Sequence, residues 1–506
     1  MAVNVRRLLL GKRLTTEDLP HQSISNKVGL AVFASDALSS TAYATEEILI
    51  ILSVAVGGGA SIWSGQNGTI LGLSIPIAIA IAILLVVVTI SYRQTIFAYP
   101  NGGGAYIVAR DNLGELPAQI AGAALLTDYI LTVAVSVSAG VAQITSVFPE
   151  LISYRVIMAV AIIALVTIVN LRGVKESGKI FAVPTYFFLG MMFLTLIVGL
   201  VRALTGNLPT VSGVEALHHD VVEPLGIFLI LKAFSSGCTA LTGIEAISNG
   251  ISAFKTPRSK NAARTLVAMS TTLILLFVSI TLIANFIHAI PSETETVISQ
   301  MGRTIYGDGS VFYLLLQAGT ALILLMAANT SYADFPRLAS LIAADGFLPR
   351  QLTFRGGRLV FSWGIVALAG LAIVLVIIAN ARTTALIPLY AVGVFLSFTI
   401  SQSGMVIHLR RVGKLKIGEV VQGLETAMEF DSHWKTKAVI SAIGAVFTFV
   451  VMLVFAVTKF SSGAWFVVIL IPTLVLIFFR IHRHYQEVAH ALSTSGANVK
   501  VDLETR

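Results

Sequence analysis

A carboxylate and a phenol lie inside an apolar stretch, residues 28–56, that is long enough to cross a bilayer. A carboxylate such as Asp36 costs about 2.5–3.5 kcal/mol at mid-membrane on insertion scales, so it persists where a cation, a proton or a basic partner offsets it. Between Asp36 and Tyr43 lies the run Ser39-Ser40-Thr41, whose hydroxyls compete for helix backbone hydrogen bonds. A helix broken there frees carbonyl oxygens beside a carboxylate, which predicts a cation site. The alternative is a structural ion pair of Asp36 with a basic side chain.

Two further apolar stretches carry polar residues of the same kinds. Asp128, Thr132 and Ser136 are spaced i, i+4 and i+8, which places one carboxylate and two hydroxyls on one helix face. The stretch KAFSSGCTALTGIEAISNG contains Thr242 and Glu245 among glycines, which weaken a helix and predict a second break. Together these residues predict a cation path through the membrane.

Other charged residues within the spans have simpler interpretations. Glu46 and Glu47 lie near the outer end of the first span, either as mouth residues that attract cations or as solvated side chains. Asp334 is close enough in sequence to Arg337 to predict a structural ion pair. Lys232 is expected to extend to the interface or to pair with a carboxylate.

The composition identifies the elements that must position these residues. The chain is 56% hydrophobic and 12% charged, whereas soluble domains are about 25% charged, so this is a polytopic membrane protein. Each predicted span is close to the roughly 20 residues that a bilayer needs. The spans are residues 28–56, 70–92, 117–145, 154–171, 179–204, 225–250, 263–289, 311–334, 360–380, 385–409, 437–458 and 463–481.

The basic residues predict the orientation of these spans. With twelve spans and a cytoplasmic N-terminus, 28 of the 34 Lys and Arg fall in cytoplasmic segments and only 5 in outer loops. This bias is the positive-inside pattern, and it predicts that both termini are cytoplasmic. The net charge of +8 therefore reflects topology and does not indicate nucleic-acid binding.

The remaining motifs do not predict catalysis, a metal centre or a cofactor. Gly102-Gly103-Gly104 lacks the Lys-Ser/Thr of a phosphate-binding loop, so a flexible or close-packed connector is expected. Neither His218-His219 with Asp220 nor His482 with His484 forms a metal-binding signature. The single cysteine, Cys238, excludes an intramolecular disulfide framework. The chain is thus predicted not to be an enzyme.

Breaks in the first and sixth spans are what an inverted five-plus-five repeat produces. On that basis, spans eleven and twelve are peripheral. The predicted organisation is a cytoplasmic segment (1–27), a ten-helix transport core (28–410), a cytoplasmic loop (411–436), the two peripheral helices (437–481) and a short cytoplasmic tail (482–506).

Long motifs across residues 5–485 resemble the KimA-type bacterial potassium importers of the amino acid–polyamine–organocation superfamily, which are related to the Kup-type transporters. The motifs are SDALSSTAYATEEILIIL, SYRQTIFAYPNGGGAYIVARDNLGE, LLTDYILTVAVSVSAG, LKAFSSGCTALTGIEAISNGISAFKTPRSKNAARTL and LIPLYAVGVF. The resemblance implies a LeuT-like fold in the bacterial cytoplasmic membrane and high-affinity potassium uptake coupled to protons. The potassium ligands that it implies are Asp36, Tyr43, Asp128, Thr132, Ser136, Thr242 and Glu245.

The chain departs from this family at its C-terminus. Family members usually continue into a cytoplasmic domain that serves dimerisation and inhibition by cyclic di-AMP. Residues 482–506 are too few for such a domain, so neither a homodimer nor cyclic di-AMP control is expected to rest on it.

Three carboxylates exceed what one monovalent ion needs. Because like charges favour protonation of one member, a proton is expected to bind or exchange there, with Glu245 or Asp128 as the carrier. The rival substrates are amino acids and polyamines. The break SSTAY has no glycine NH groups for a substrate carboxylate and contains an adjacent Asp36, which disfavours amino acids but not polyamines. A membrane sensor without transport is a further alternative, although no signalling domain is evident.

Overall fold

The computed structural model describes residues 24–57, 63–102, 104–172, 177–217, 222–356 and 360–492. Within these ranges the chain is helical, apart from loops and one short hairpin of β1 (Val420–Gln422) and β2 (Ala427–Glu429). The helices are α1 (Asn26–Phe33), α2 (Ser35–Ser39), α3 (Thr41–Ser53), α4 (Gln66–Gly72), α5 (Ser74–Ala98), α6 (Ala105–Asn112), α7 (Glu115–Val147), α8 (Arg155–Leu171), α9 (Ser177–Leu204), α10 (Ile227–Gly237), α11 (Glu245–Asn249), α12 (Arg258–Phe286), α13 (Val297–Tyr306), α14 (Val311–Ala344), α15 (Ser362–Ile378), α16 (Thr383–Val412), α17 (Trp434–Thr458) and α18 (Trp465–Leu492).

Ten helical segments of the described chain are long and apolar enough to cross a membrane. They coincide with ten of the twelve predicted spans. The other two differ because the first is divided at Ala34 and Ser40 into α1, α2 and α3, and because α15 has only 17 residues. The protein is therefore an all-α polytopic membrane protein, as its composition predicts.

Helix α7 forms the centre of the molecule and packs against α14 and α16. Glycines permit these close approaches. A Cβ on Gly122 would come within 2.8 Å of Ile342, and one on Gly393 would come within 3.1 Å of the carbonyl oxygen of Ala124. Small residues at helix contacts are the usual way in which membrane helices approach each other. The packing holds the polar face of α7 in the protein interior.

The outer helices present apolar side chains to the surroundings. Ile157 and Leu165 on α8 are more than 60% exposed, as are Val446 and Val457 on α17. Such residues suit contact with lipid, since a bilayer is as apolar as they are. The polar residues of interest are therefore confined to the inner helices.

Several elements differ from the sequence-based boundaries. Helix α14 continues to Ala344 rather than ending near residue 334, and α18 continues to Leu492 rather than 481. Helix α13 and the hairpin β1–β2 were not predicted. The predicted discontinuity at the glycine run is present, because α5 ends at Ala98 and α6 begins at Ala105. His218, His219 and Asp220 lie outside the described residues.

Candidate functional site

The first break is a local distortion of an otherwise helical backbone. Ala34 and Ser40 both keep right-handed helical dihedral angles. The hydroxyls of Ser39 and Ser40 donate hydrogen bonds to the carbonyl oxygen of Asp36, at 2.7 and 3.3 Å. Such bonds compete with the helical ladder, which accounts for an interruption at this run. The interruption places Asp36 on the five-residue helix α2 between α1 and α3.

The second break is a complete one. Helix α10 ends at Gly237, a 3₁₀ turn follows over Cys238–Leu241, and Thr242 is extended with φ −68° and ψ 152°. Gly243 has φ +81°, and a Cβ there would lie 2.7 Å from the Ala37 nitrogen and 2.8 Å from Oδ2 of Asp36. Both the dihedral angle and the close approach require glycine. The backbone of the second break therefore lies directly against the Asp36 carboxylate of the first.

Hydroxyl groups join the two breaks. Ser40 Oγ and Thr242 Oγ1 share a hydrogen bond of 2.9 Å, although they are 202 residues apart in sequence. Ser40 Oγ also shares a 3.0 Å hydrogen bond with the Tyr43 hydroxyl. Asp36, Tyr43 and Thr242, which the sequence predicts as ligands, are thus brought together, with Ser40 as the connecting residue.

Helix α7 supplies a third side of the site. Asp128, Thr132 and Ser136 are all buried, 2% exposed or less, as their spacing on one helix face predicts. Thr132 Oγ1 donates a 3.0 Å hydrogen bond to the hydroxyl of Tyr390 on α16. Tyr390 was not among the predicted ligands. Its position in LIPLYAVGVF, two residues after Pro388 in an apolar run, is also compatible with ordinary core packing.

The three carboxylates lie within electrostatic range of one another, since Asp36 and Asp128 interact and both interact with Glu245. All three are at most 7% exposed. Asp36 Oδ1, Asp128 Oδ1 and Glu245 Oε2 are buried without a hydrogen-bond partner in the described structure. Leaving a buried ionised oxygen unpaired is costly, so a cation or a proton is needed at this place.

The carboxylates do not form a multidentate metal centre. In the described part of the chain, no three His, Cys, Asp or Glu side chains form a group that could hold one metal ion. An ion among them would therefore take much of its coordination from hydroxyl and carbonyl oxygens, as a weakly coordinated monovalent cation does. This donor set differs from the dense carboxylate cages that bind divalent ions.

A cavity leads away from the site on the side of α3. Its lining includes Tyr43, Glu46 and Glu47 together with residues 292–296. The predicted mouth residues Glu46 and Glu47 therefore line the same cavity as Tyr43, which is a predicted potassium ligand. Lys232 pairs with Glu223 at 3.3 Å, so the interpretation that it pairs with a carboxylate is correct.

The glycine run packs against the end of α11. A Cβ on Gly104 would lie 2.5 Å from Oδ1 of Asn249, and Asn249 Nδ2 donates to the Tyr129 hydroxyl at 3.0 Å. The glycine run is therefore a close-packed connector at its described positions. Asp334 and Arg337 form the predicted ion pair at 3.8 Å, but Asp334 is only 5% exposed.

Paired breaks, buried carboxylates and lipid-facing helices define a polytopic membrane transporter. Residues 39–485 match the family model described as "Amino acid permease", and the chain belongs to this family. The chain is also 44% identical over 493 residues to a protein named "Potassium transporter KimA" from Bacillus subtilis (strain 168). That alignment covers 97% of this chain and 76% of the relative. The resemblance to KimA-type importers is confirmed, and these relatives are transporters rather than enzymes, as the sequence predicts.

Proposed function

We propose that this protein imports potassium across the bacterial cytoplasmic membrane. The observation that carries the proposal is that Asp36 and Glu245, at two adjoining helix breaks, and Asp128 on α7 each keep a buried oxygen without a hydrogen-bond partner in the described structure. The relative named as a potassium transporter supports potassium as the cargo. Potassium and protons are substrates in this proposal, and no cofactor takes part.

The proposed ion would exchange its water for oxygens of the protein. Asp36, Asp128 and Glu245 offset its charge, while hydroxyls of Tyr43, Thr132, Ser136 and Thr242 and backbone carbonyls near the breaks complete the shell. One carboxylate about 3 Å from the ion contributes on the order of 5 kcal/mol at an effective dielectric constant of 20. That energy offsets a large part of the lost hydration, so a dehydrated cation can reside among buried helices.

We further propose that uptake is coupled to protons. Three carboxylates around one monovalent ion leave excess negative charge in a buried site, and such an excess favours protonation of one of them. Glu245 is our first choice as the carrier because it follows the complete break, where an opening gate exposes it to either side in turn. Asp128 is the second choice.

The proposed architecture is a LeuT-like five-plus-five repeat with twelve spans and cytoplasmic termini. Adjoining breaks in the first and sixth spans support the repeat, and the distribution of Lys and Arg supports the orientation. Counting α1–α3 together and α15 as spans gives twelve. In this arrangement the repeat occupies residues 28–410, and alternating access takes place around the two breaks.

Uptake in bacteria that lack their own potassium importers tests the function. Expression of this protein should restore growth at micromolar external potassium and should give saturable rubidium uptake. Restored putrescine uptake without potassium or rubidium flux would overturn the proposal and favour a polyamine carrier. Accumulation of an amino acid without cation flux would overturn it as well.

Voltage-clamped proteoliposomes test the coupling separately. Acidifying the outer side should accelerate inward rubidium flux at constant membrane potential, and a protonophore should reduce it. A flux that follows voltage but ignores the pH gradient would contradict the symport mechanism while leaving potassium transport intact. A Glu245→Gln variant that binds rubidium but loses the pH response would identify the proton carrier.

A further inference from the structure

The cavity beside the site has room for a partly hydrated ion. Its volume is about 190 Å³, and a water molecule occupies roughly 30 Å³ in the liquid. Its lining includes Ala42, Tyr43, Glu46, Glu47 and Gln143. Because Tyr43 also contacts Ser40 of the buried site, the cavity adjoins that site.

Glu47 is the unusual residue in this cavity. It is only 5% exposed and lines the cavity, yet no hydrogen bond or direct ion pair from the described residues reaches its carboxylate. Its neighbour Glu46 differs, because Glu46 Oε2 accepts a hydrogen bond from the Val297 backbone N–H at 3.4 Å. A nearly buried carboxylate without a partner is costly, so its charge must be offset from within the cavity or across it.

Lys459 offsets part of that charge from a distance. It lies between α17 and α18, is only 3% exposed, and interacts electrostatically with Glu47 without forming a direct ion pair. Lys232, the other cation near Lys459, is already paired with Glu223. Arg155 and Arg382 also line the cavity, but both are accessible to solvent. Lys459 is thus a buried ammonium group near Glu47: the adjacent Thr458 shares a 3.1 Å hydrogen bond with Ser235 of α10, and α10 packs against α3.

We propose that this cavity is a second cation site, in which Glu47 binds a monovalent cation before it enters the buried site and Lys459 weakens that binding. Tyr43 and Glu47 are spaced i, i+4 on α3, so an ion moves about one helical turn between the two sites. Serial sites conduct ions well only when each releases its ion readily. The Lys459 charge provides this release, because it reduces the net negative charge that the ion experiences at Glu47.

The inference rests on the proposed potassium uptake and places a function on the last two helices. A fixed positive charge at the junction of α17 and α18 tunes an ion site formed mainly by α3. Tight binding at Glu47 would retain the ion, whereas a neutral residue there would provide no intermediate site. Removal of the Glu47 charge should therefore lower the apparent affinity for external cation, and removal of the Lys459 charge should raise it.

Rubidium uptake by the full chain in an importer-deficient bacterium tests this inference through KM and maximal rate. Glu47→Gln should raise KM about tenfold, or about 1.4 kcal/mol, with a maximal rate close to that of the unmodified protein. Lys459→Met should lower KM several-fold and slow the maximal rate, because the ion leaves the cavity more slowly. Lys459→Arg, which keeps the charge, should retain the original KM.

Matched variants separate a cation site from general effects. Glu150→Gln removes an exposed carboxylate that does not line the cavity, and Lys232→Met removes the neighbouring cation; both should leave KM within about twofold. An unchanged KM in Glu47→Gln, or a shift in the same direction in Glu47→Gln and Lys459→Met, would overturn the inference. Should Lys459→Met fail to reach the membrane, the KM of Glu47→Gln decides alone. Rubidium flux in the unmodified protein shows whether the proposed function itself stands.

Discussion

Two groups of carboxylates in this protein are bonded in opposite ways. Around α6, Asp345 accepts hydrogen bonds from the Tyr106 hydroxyl at 2.6 Å and from Arg110, which also pairs with Glu425. Asp111 accepts from the Tyr99 hydroxyl and from the Leu424 backbone N–H, at 2.8 and 3.0 Å. At the membrane centre, Asp36, Asp128 and Glu245 each keep a buried oxygen without any such partner.

We interpret the first group as carboxylates that hold the structure together, whereas the proposed function requires an ion or a proton to compensate the charge of the second group. The group around α6 connects α6 to the end of α14 and to the β1–β2 loop. Burial and the adjacent Asp345 raise the pKa of Tyr106 well above its ordinary value, so its hydroxyl remains a donor. In the described structure, each carboxylate of the central group keeps one oxygen that no donor reaches. We therefore expect an ion or a proton to compensate its charge, and the proposed transport depends on the exchange of the two.

The largest effect should follow neutralisation of the central group. Asp36→Asn, Asp128→Asn and Glu245→Gln each remove a charge with little change of shape, so each should reduce rubidium uptake by at least about a hundredfold. Membrane insertion and thermal stability should be retained, because none of the three carboxylates forms an ion pair within the described residues that the substitution would remove. Uptake measured at equal protein amount in the membrane checks this prediction. Unimpaired flux in all three variants would mean that these carboxylates are structural.

A smaller effect should follow loss of the Tyr390 hydroxyl. Tyr390→Phe leaves the Thr132 hydroxyl without its 3.0 Å acceptor inside the site, and an unmade buried hydrogen bond costs about 1–3 kcal/mol. We expect KM for rubidium to rise about tenfold. Thr132→Val should have a similar effect, and the double variant should be little worse than either single one because both remove the same bond. Fully additive effects would show that the two hydroxyls act independently.

The positions of the central carboxylates and the two breaks could be predicted from the sequence, because ionisable residues are rare inside apolar spans and because the serine–threonine run and the glycine-rich run each weaken a helix. The different character of the breaks could not. Ser39 and Ser40 interrupt the ladder through their hydroxyls while the backbone stays helical, whereas Gly243 adopts a positive φ that turns the chain. Both patterns only predict a weakened helix, and packing decides how far each unwinds.

Hydrogen-bond partners that are far apart in the chain could not be predicted from the sequence either. Tyr390 lies 258 residues from Thr132, and a tyrosine in an apolar run is more often a core residue than a ligand. The hairpin β1–β2 has only three residues per strand, too few for a pattern of alternation. Its position becomes clear only from the hydrogen bond of Thr426 to the Ala98 carbonyl and from its contact with Asp111.

The group around α6 should show the reverse of the central group, with stability lost and transport largely kept. Arg110→Gln removes the cation from two carboxylates that are about a quarter to a third exposed. We expect a loss of roughly 1–3 kcal/mol, since the partners are only partly desolvated. Thermal melting in detergent measures this loss, and rubidium KM should change less than threefold. Lost transport at unchanged stability would contradict the distinction between the two groups.

Asp334 shares features with both groups, and its substitution should give the smallest effect. It is 5% exposed like the central carboxylates, and its Oδ1 has no hydrogen bond, yet Arg337 stands 3.8 Å away. Arg337 is half-exposed, so water screens it and the pair contributes little. Asp334→Asn should therefore lower uptake no more than about twofold, and Arg337→Gln should be equally mild, because neither removes a direct ligand of the proposed ion. Parallel uptake and melting curves for both variants check this expectation. A loss as large as that of Asp36→Asn would move Asp334 into the central group and extend the proposed ion path along α14.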